Sequence, residues 1–209
     1  MNTLQELLQM SAARHSHLCP RQVLGVRMGV AGMRLMGIEA PVGRPTGLVI
    51  VETDGCFVDG IEVATGAAVG HRTLRIVDMG KIAATFVDAA SGHAVRLAPR
   101  AGVRSLAFAY ASEKDERYKA QLEGYQVIPD DELFRFENVS LQPALAALLS
   151  RPDVRSVCAA CGEEIINERE VLRDGKALCR TCADDGYYTL QQKSEPAAIL
   201  GRDRSKYQS

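Results

Sequence analysis

Charge of one sign is what this 209-residue sequence most plainly lacks: 25 basic and 26 acidic side chains leave a formal net charge of −1. Nothing global draws it to nucleic acid or to an anionic membrane surface, so such a partner would need a local patch. Long apolar runs are missing too. The longest, LQPALAALLS over 141–150, is about half of what a bilayer requires. The opening stretch, MNTLQELLQMSAAR, breaks its short apolar groups with Glu6 and has neither the basic start nor the continuous apolar run of a secretory signal. A soluble cytoplasmic protein is the expectation. No internal repeat is visible, no GxGxxG loop follows a strand-like run, and no ferredoxin-like cysteine run is present to hold an iron–sulfur cluster.

What is present suits a globular core, since 46% of the residues are hydrophobic. Leu4, Leu7, Leu8 and Met10 recur at helical spacing and predict an N-terminal helix that runs into the polar segment RHSHLCP. Pro20 suits the first turn of a second helix. From Val23 to Met36 that helix carries apolar groups around almost its whole circumference, so it should be buried, and it asks for more cover than one small sheet supplies. LVIVET reads as a buried strand, and CFVDGIEVATG as a short helix ended by Gly66, although internal glycine weakens an isolated helix. TLRIVDMG, KIAATFVDA and GHAVRLAP then predict an antiparallel meander with turns at Met79-Gly80 and Ser91-Gly92. A helix over 112–122 and a strand in ELFRFENVSL follow. Segregated helices and strands point to an α+β fold, helices packed on a mainly antiparallel sheet. The composition shift after Ser150 divides the chain into an α+β core domain at 1–150, a cysteine-rich module at 151–190 and a polar tail at 191–209 that is expected to be mobile.

The module carries the strongest signal. Cys158-x-x-Cys161 and Cys179-x-x-Cys182, seventeen residues apart, have the spacing of two knuckles converging on one tetrahedral ion. In a cytoplasmic chain this favours metal ligation over disulfides. Zinc fits because four thiolates satisfy a d¹⁰ ion that has no geometric preference of its own, and a turn at Asp174-Gly175 between Val171-Leu172 and Ala177-Leu178 resembles the hairpin of a zinc ribbon or treble clef. A closed Cys₄ site has no open position, so the zinc is structural. Residues 151–190 carry six basic and eight acidic side chains, and the ligated ion adds about −2 more. Nucleic acid is therefore disfavoured as the module's partner.

The core offers a second constellation. His15, His17 and Cys19 fall at the junction of two predicted helices, and Cys56 follows a strand and a turn. His17, Cys19 and Cys56 are the candidate catalytic residues, and His17 with Cys56 is the candidate second metal site; a buried structural cysteine and a solvated histidine are the plain alternatives. His71 and His93, each after a glycine, read as loop histidines.

The order HSHLCP, CFVDGIEVATG, TLRIVDMGKIAATF, ELFRFENV and the four-cysteine module resembles the formylmethanofuran dehydrogenase E-subunit family, from about His15 to Tyr188. The matches to its motifs are His15, His17, Leu18, Cys19 and Pro20, then Cys56, Asp59, Thr65, Gly66 and Gly70. Ser16 stands where the family motif has glycine, Ala67 where it has a second cysteine, and His71 where it has lysine. The resemblance implies a dimeric α+β core with a C-terminal treble-clef zinc finger, zinc as cofactor, and molybdenum or tungsten pterin oxidoreductase subunits as partners. It implies an accessory or adaptor protein with a core His/Cys pocket. The alternatives are a stand-alone zinc- or thiol-dependent enzyme acting on a small molecule and, third, a zinc-finger regulator that binds nucleic acid.

Overall fold

The computed structural model of the chain describes residues 2–40, 47–112, 116–149 and 153–189. Its contacts divide into two units, Met1–Leu145 and Ala146–Ser209; the tail expected to be mobile lies outside the described residues. The first unit begins with α1 (Leu4–Ala12), whose start is closed by a capping box between Thr3 and Glu6. Then come α2 (Pro20–Met36), β1 (Gly47–Val51), α3 (Cys56–Thr65), β2 (Leu74–Ile76), β3 (Ala84–Asp88) and β4 (Ala94–Pro99). They are followed by α4 (Val103–Tyr110), α5 (Arg117–Val127), the single turn α6 (Asp130–Leu133) and β5 (Phe134–Asn138), while α7 (Leu145–Leu149) opens the second unit.

The five strands stand in the order β2-β1-β3-β4-β5. Three of the four pairings are antiparallel, which is the expected α+β fold. The meander is corrected at its first strand. β2 pairs with β1, in parallel, rather than with β3, so the chain crosses over through α3 and Met79-Gly80 closes no hairpin between neighbours. Val49, Phe86 and Val95 share one register row, and with Val51 and Leu97 they face the helices as part of the main core. Leu48, Val87 and Ala94, alternating with them, are also buried, so the sheet is covered on both faces. On that second face Arg96 holds Glu52 with Nε and Nη2, at 2.5 and 2.8 Å, and Glu137 with Nη1 at 3.0 Å.

Glycine decides how the helices pack. A Cβ on Gly25 would run into the Phe57 carbonyl, one on Gly29 would come within 2.6 Å of the Ala64 Cβ, and one on Gly60 would lie 2.7 Å from the Val26 nitrogen. The internal glycine that weakens α3 as an isolated helix is what lets its backbone touch α2. Gly32 does the same toward the Phe86 ring. With α1, α3 and the sheet around it, α2 buries Val23, Leu24, Val26, Met28, Ala31 and Met33 within one chain. Its all-round apolar surface thus needs no second copy for cover. Arg27 fastens α2 to the end of α5, donating to the Tyr125 and Ile128 carbonyls at 2.8 and 2.7 Å and pairing with Asp130.

α4 has no counterpart among the elements expected from sequence, and the expected helix over 112–122 begins later, at Arg117. Ala107 and Gly124 bring α4 and α5 into contact, and α5 carries almost no apolar stripe.

Gly25→Ala should lower stability by about 1–3 kcal/mol, the usual cost of forcing a methyl into a closed contact. Thermal melting followed by circular dichroism measures it, and an unchanged midpoint would contradict the close α2–α3 approach.

Candidate functional site

Helices α2 and α3 cross in parallel: Gly25 and Gln22 meet Phe57 and Gly60, and one turn on Gly29 meets Ile61 and Ala64. Their starts therefore lie at the same end, where the α1–α2 junction passes. Cys19 is the N-cap of α2 and Cys56 the first residue of α3. Residues 56, 59 and 62 are successive i, i+3 positions on one face of α3, and each meets one group of the junction. Cys56, at the start of α3, stands beside the start of α2, where Cys19 is the N-cap. Asp59 Oδ2 lies 2.5 Å from His15 Nε2, and Glu62 pairs with Arg14.

Gln22 anchors this junction from within. Fully buried, its Oε1 accepts the Cys19 N–H at 2.8 Å while its Nε2 donates to the Ser11 carbonyl at 2.7 Å. Both ends of the amide are satisfied, as burial demands. From α5, the Tyr118 hydroxyl donates to the Leu18 carbonyl at 3.2 Å. Burial raises the Tyr118 phenol, and the two neighbouring thiols, Cys19 and Cys56, push in the same direction. Cys19 is raised above its ordinary 9.0 by burial first, against backbone N–H groups of Gln22 and Arg21 that favour its thiolate.

Of the candidate residues, Cys19 and Cys56 come together. His17 is exposed, and its Nδ1 lies 3.1 Å from Ser16 Oγ. Among the described residues the finger cysteines are the one group of three or more potential metal ligands, so His17, Cys19 and Cys56 are not gathered as a three-ligand set. The histidine that engages α3 is His15. Gln22 and Tyr118 are site residues that sequence reasoning misses; an interior glutamine in an apolar helix is the available signal for the first, and the second carries none. His71 is exposed, in a turn closed by Arg72 N–H to the Val69 carbonyl. About 15 Å of α3 separates Cys56 from the start of that loop. His93, also exposed, meets Asn138 across the sheet edge at 3.2 Å.

The second unit holds two small hairpins, β6 (Arg155–Val157) with β7 (Glu164–Ile166) and β8 (Val171–Arg173) with β9 (Lys176–Leu178), and a 3₁₀ turn at Thr181–Ala183. Asp174 and Gly175, both at positive φ, make the tight turn between β8 and β9. Cys158 and Cys161 sit in the knuckle between β6 and β7, where Gly162, φ 79°, donates back to the Cys158 carbonyl. Ala159 N–H bonds the Ala177 carbonyl at 2.8 Å, joining that knuckle to β9, which delivers Cys179. The four ligand sulfurs lie within 4.8 Å of one another. Cys161 and Cys179 are 3.9 Å apart, close to the ~3.8 Å edge of a tetrahedral zinc–thiolate site.

Backbone N–H groups of Cys161 and Cys179 hold the Cys158 thiol down at about 6. Cys182 is pushed up to about 12, chiefly by its contact with the Cys179 side chain and then by burial. One thiolate forms readily and the last is resisted by its neighbours. A divalent cation among them would remove that resistance, so the donor set fits zinc.

Residues 14–135 match the FmdE family, described as "Molybdenum formylmethanofuran dehydrogenase operon", and residues 152–188 match the prokaryotic dksA/traR C4-type zinc finger. A probable S-adenosyl-L-methionine-binding protein of Archaeoglobus fulgidus is 32% identical over 227 aligned residues, covering 98% of this chain and 57% of that protein. The chain thus spans little more than half of that relative's length. A tungsten formylmethanofuran dehydrogenase FmdE-like protein from Syntrophus aciditrophicus has the same fold, with a TM-score of 0.56 at 18% identity over 90% of this chain and 96% of that one.

Treated with iodoacetamide at neutral pH, Cys56 should react faster than Cys19, because burial both shields the Cys19 sulfur and raises its thiol. Cys19 should speed up as pH climbs through and beyond 9.0. Peptide mass mapping reads both, and a Cys19 that reacts as fast as Cys56 at neutral pH would contradict its buried placement.

Proposed function

The chain belongs to the FmdE family, and we propose that it is a metal-binding accessory protein of the cytoplasm whose finger holds one structural zinc ion and docks a protein partner. The observation that carries this is the convergence of the Cys158, Cys161, Cys179 and Cys182 sulfurs. Bound there, zinc supplies no open coordination position and no substrate chemistry; it replaces the core that a module this small cannot build.

The finger's surface supports a protein partner over nucleic acid. It is acidic on balance, and Val157, Ile166 and Leu172 are 62%, 46% and 71% exposed. Phosphate is repelled by the first property and gains nothing from the second. Subunits of a molybdenum or tungsten pterin oxidoreductase are the partners the family suggests. Among the described residues no helix is long and apolar enough to cross a membrane. Much of the Archaeoglobus relative lies outside the match, so the ligand in its name lends no support to S-adenosyl-L-methionine binding by this chain.

A homodimer is part of the proposal. Its support is apolar exposure at β2, the outermost strand of the sheet among the described residues, where Ile76 and then Val77 and Met79 just beyond it stay 46%, 47% and 58% exposed. A second reading, small-molecule thiol chemistry by the core, is favoured by one observation: Cys56 shares a helix face with the Asp59–His15 pair.

Metal analysis after exhaustive dialysis should find at least one zinc per chain, and Cys179→Ser should lose it together with the folded module. A variant that keeps its zinc would remove the reading. Light scattering should give twice the chain mass, and Ile76→Glu with Met79→Glu should return it to a monomer; a wild-type monomer at all concentrations would exclude the dimer.

A further inference from the structure

The finger uses four of the six cysteines and leaves the pair in the core. Cys19 is 9% exposed and sits behind Cys56, which is half-buried. The parallel α2–α3 crossing packs Gln22 and Gly25 against Phe57 and Gly60, which brings the two helix starts, and so Cys19 and Cys56, side by side. Among the described residues no third ligand completes a metal set with them. One thiol near solvent and a second, buried, at the start of the neighbouring helix is the layout of a dithiol that exchanges with disulfides.

We infer that Cys19 and Cys56 form a reversible thiol–disulfide pair that reduces low-molecular-weight disulfides, Cys56 attacking and Cys19 resolving. The Cys56 thiolate attacks one sulfur of the small disulfide; that S–S bond breaks, and one small thiolate leaves and takes up a proton. Cys19, deprotonated in turn, attacks the Cys56 sulfur of the mixed disulfide and expels the second small thiol. The balance is one small disulfide plus two protein thiols giving one Cys19–Cys56 disulfide plus two small thiols, with two electrons passing to the small disulfide. The reverse reaction restores the dithiol. Exchange of this kind needs no metal in the core and does not depend on the finger's zinc.

The test treats full-length, zinc-loaded protein with glutathione disulfide over a range of glutathione ratios, then blocks free thiols and digests with trypsin. Cleavage after Arg14 and Arg21 isolates Cys19 in peptide 15–21. The expected product links this peptide to the one containing Cys56, lacks two hydrogens, and disappears on reduction, with zinc content unchanged throughout. Cys19→Ser keeps a good N-cap residue and should fold; it should stop at a glutathione adduct on Cys56. In Cys56→Ser, Cys19 should form its adduct on the order of tenfold or more slowly than Cys56 does in Cys19→Ser. Separate adducts on the two cysteines, no link at any ratio while circular dichroism stays native, or a link that appears only with zinc loss and unfolding would each overturn the inference.

Discussion

The first unit depends on the backbone-to-backbone contact of α2 and α3, made possible by Gly25, Gly29 and Gly60. Everything at the thiol end is set by it. Because the crossing is parallel, two segments far apart in sequence begin side by side, and the junction from Arg14 to Cys19 has one face of α3 to pair with. The sheet meets the same stripe of α2 about one turn further on, through Gly32 and Phe86. Interior glycine costs helix propensity of about 1 kcal/mol per residue, and close packing of the two helices offsets that cost.

How much of this was legible in the sequence follows from how far each feature reaches along the chain. The finger was fully legible as a pattern, since four thiols in two short knuckles are a local code and the turn between their hairpin strands is local too. α2 was legible from its apolar surface and Pro20. The pairing of β2 was not: a three-residue strand says nothing about its neighbour, and hairpin-like Met79-Gly80 suggested the wrong one. α4 and α5 pack through Ala107 and Gly124, and in α5 almost no apolar periodicity is left to read. In the core site, sequence brought forward Cys19 and Cys56 and set His17 above His15. The two histidines are two residues apart in an irregular loop, and only the position of α3 decides which one finds Asp59.

The six cysteines show one side chain used under two sets of conditions. In the finger, Cys158 is 1% exposed, yet backbone N–H groups of Cys161 and Cys179 outweigh burial and lower its thiol to about 6. At the core, Cys19 meets N–H groups as well, but burial outweighs them and the thiol stays protonated longer. Hydrogen-bond donors favour the thiolate in both places, and the balance between those donors and burial decides the outcome.

Gln22 has a consequence for the N-terminal helix. One side-chain amide closes the end of α1 and the beginning of α2, gripping the Ser11 carbonyl with one atom and the Cys19 N–H with another. Removing α1 would strand a fully desolvated amide donor, and the register of the thiol at the next helix would loosen with it. The first twelve residues, which carry no reactive group of their own, are in this sense a keystone: they hold a position they never touch.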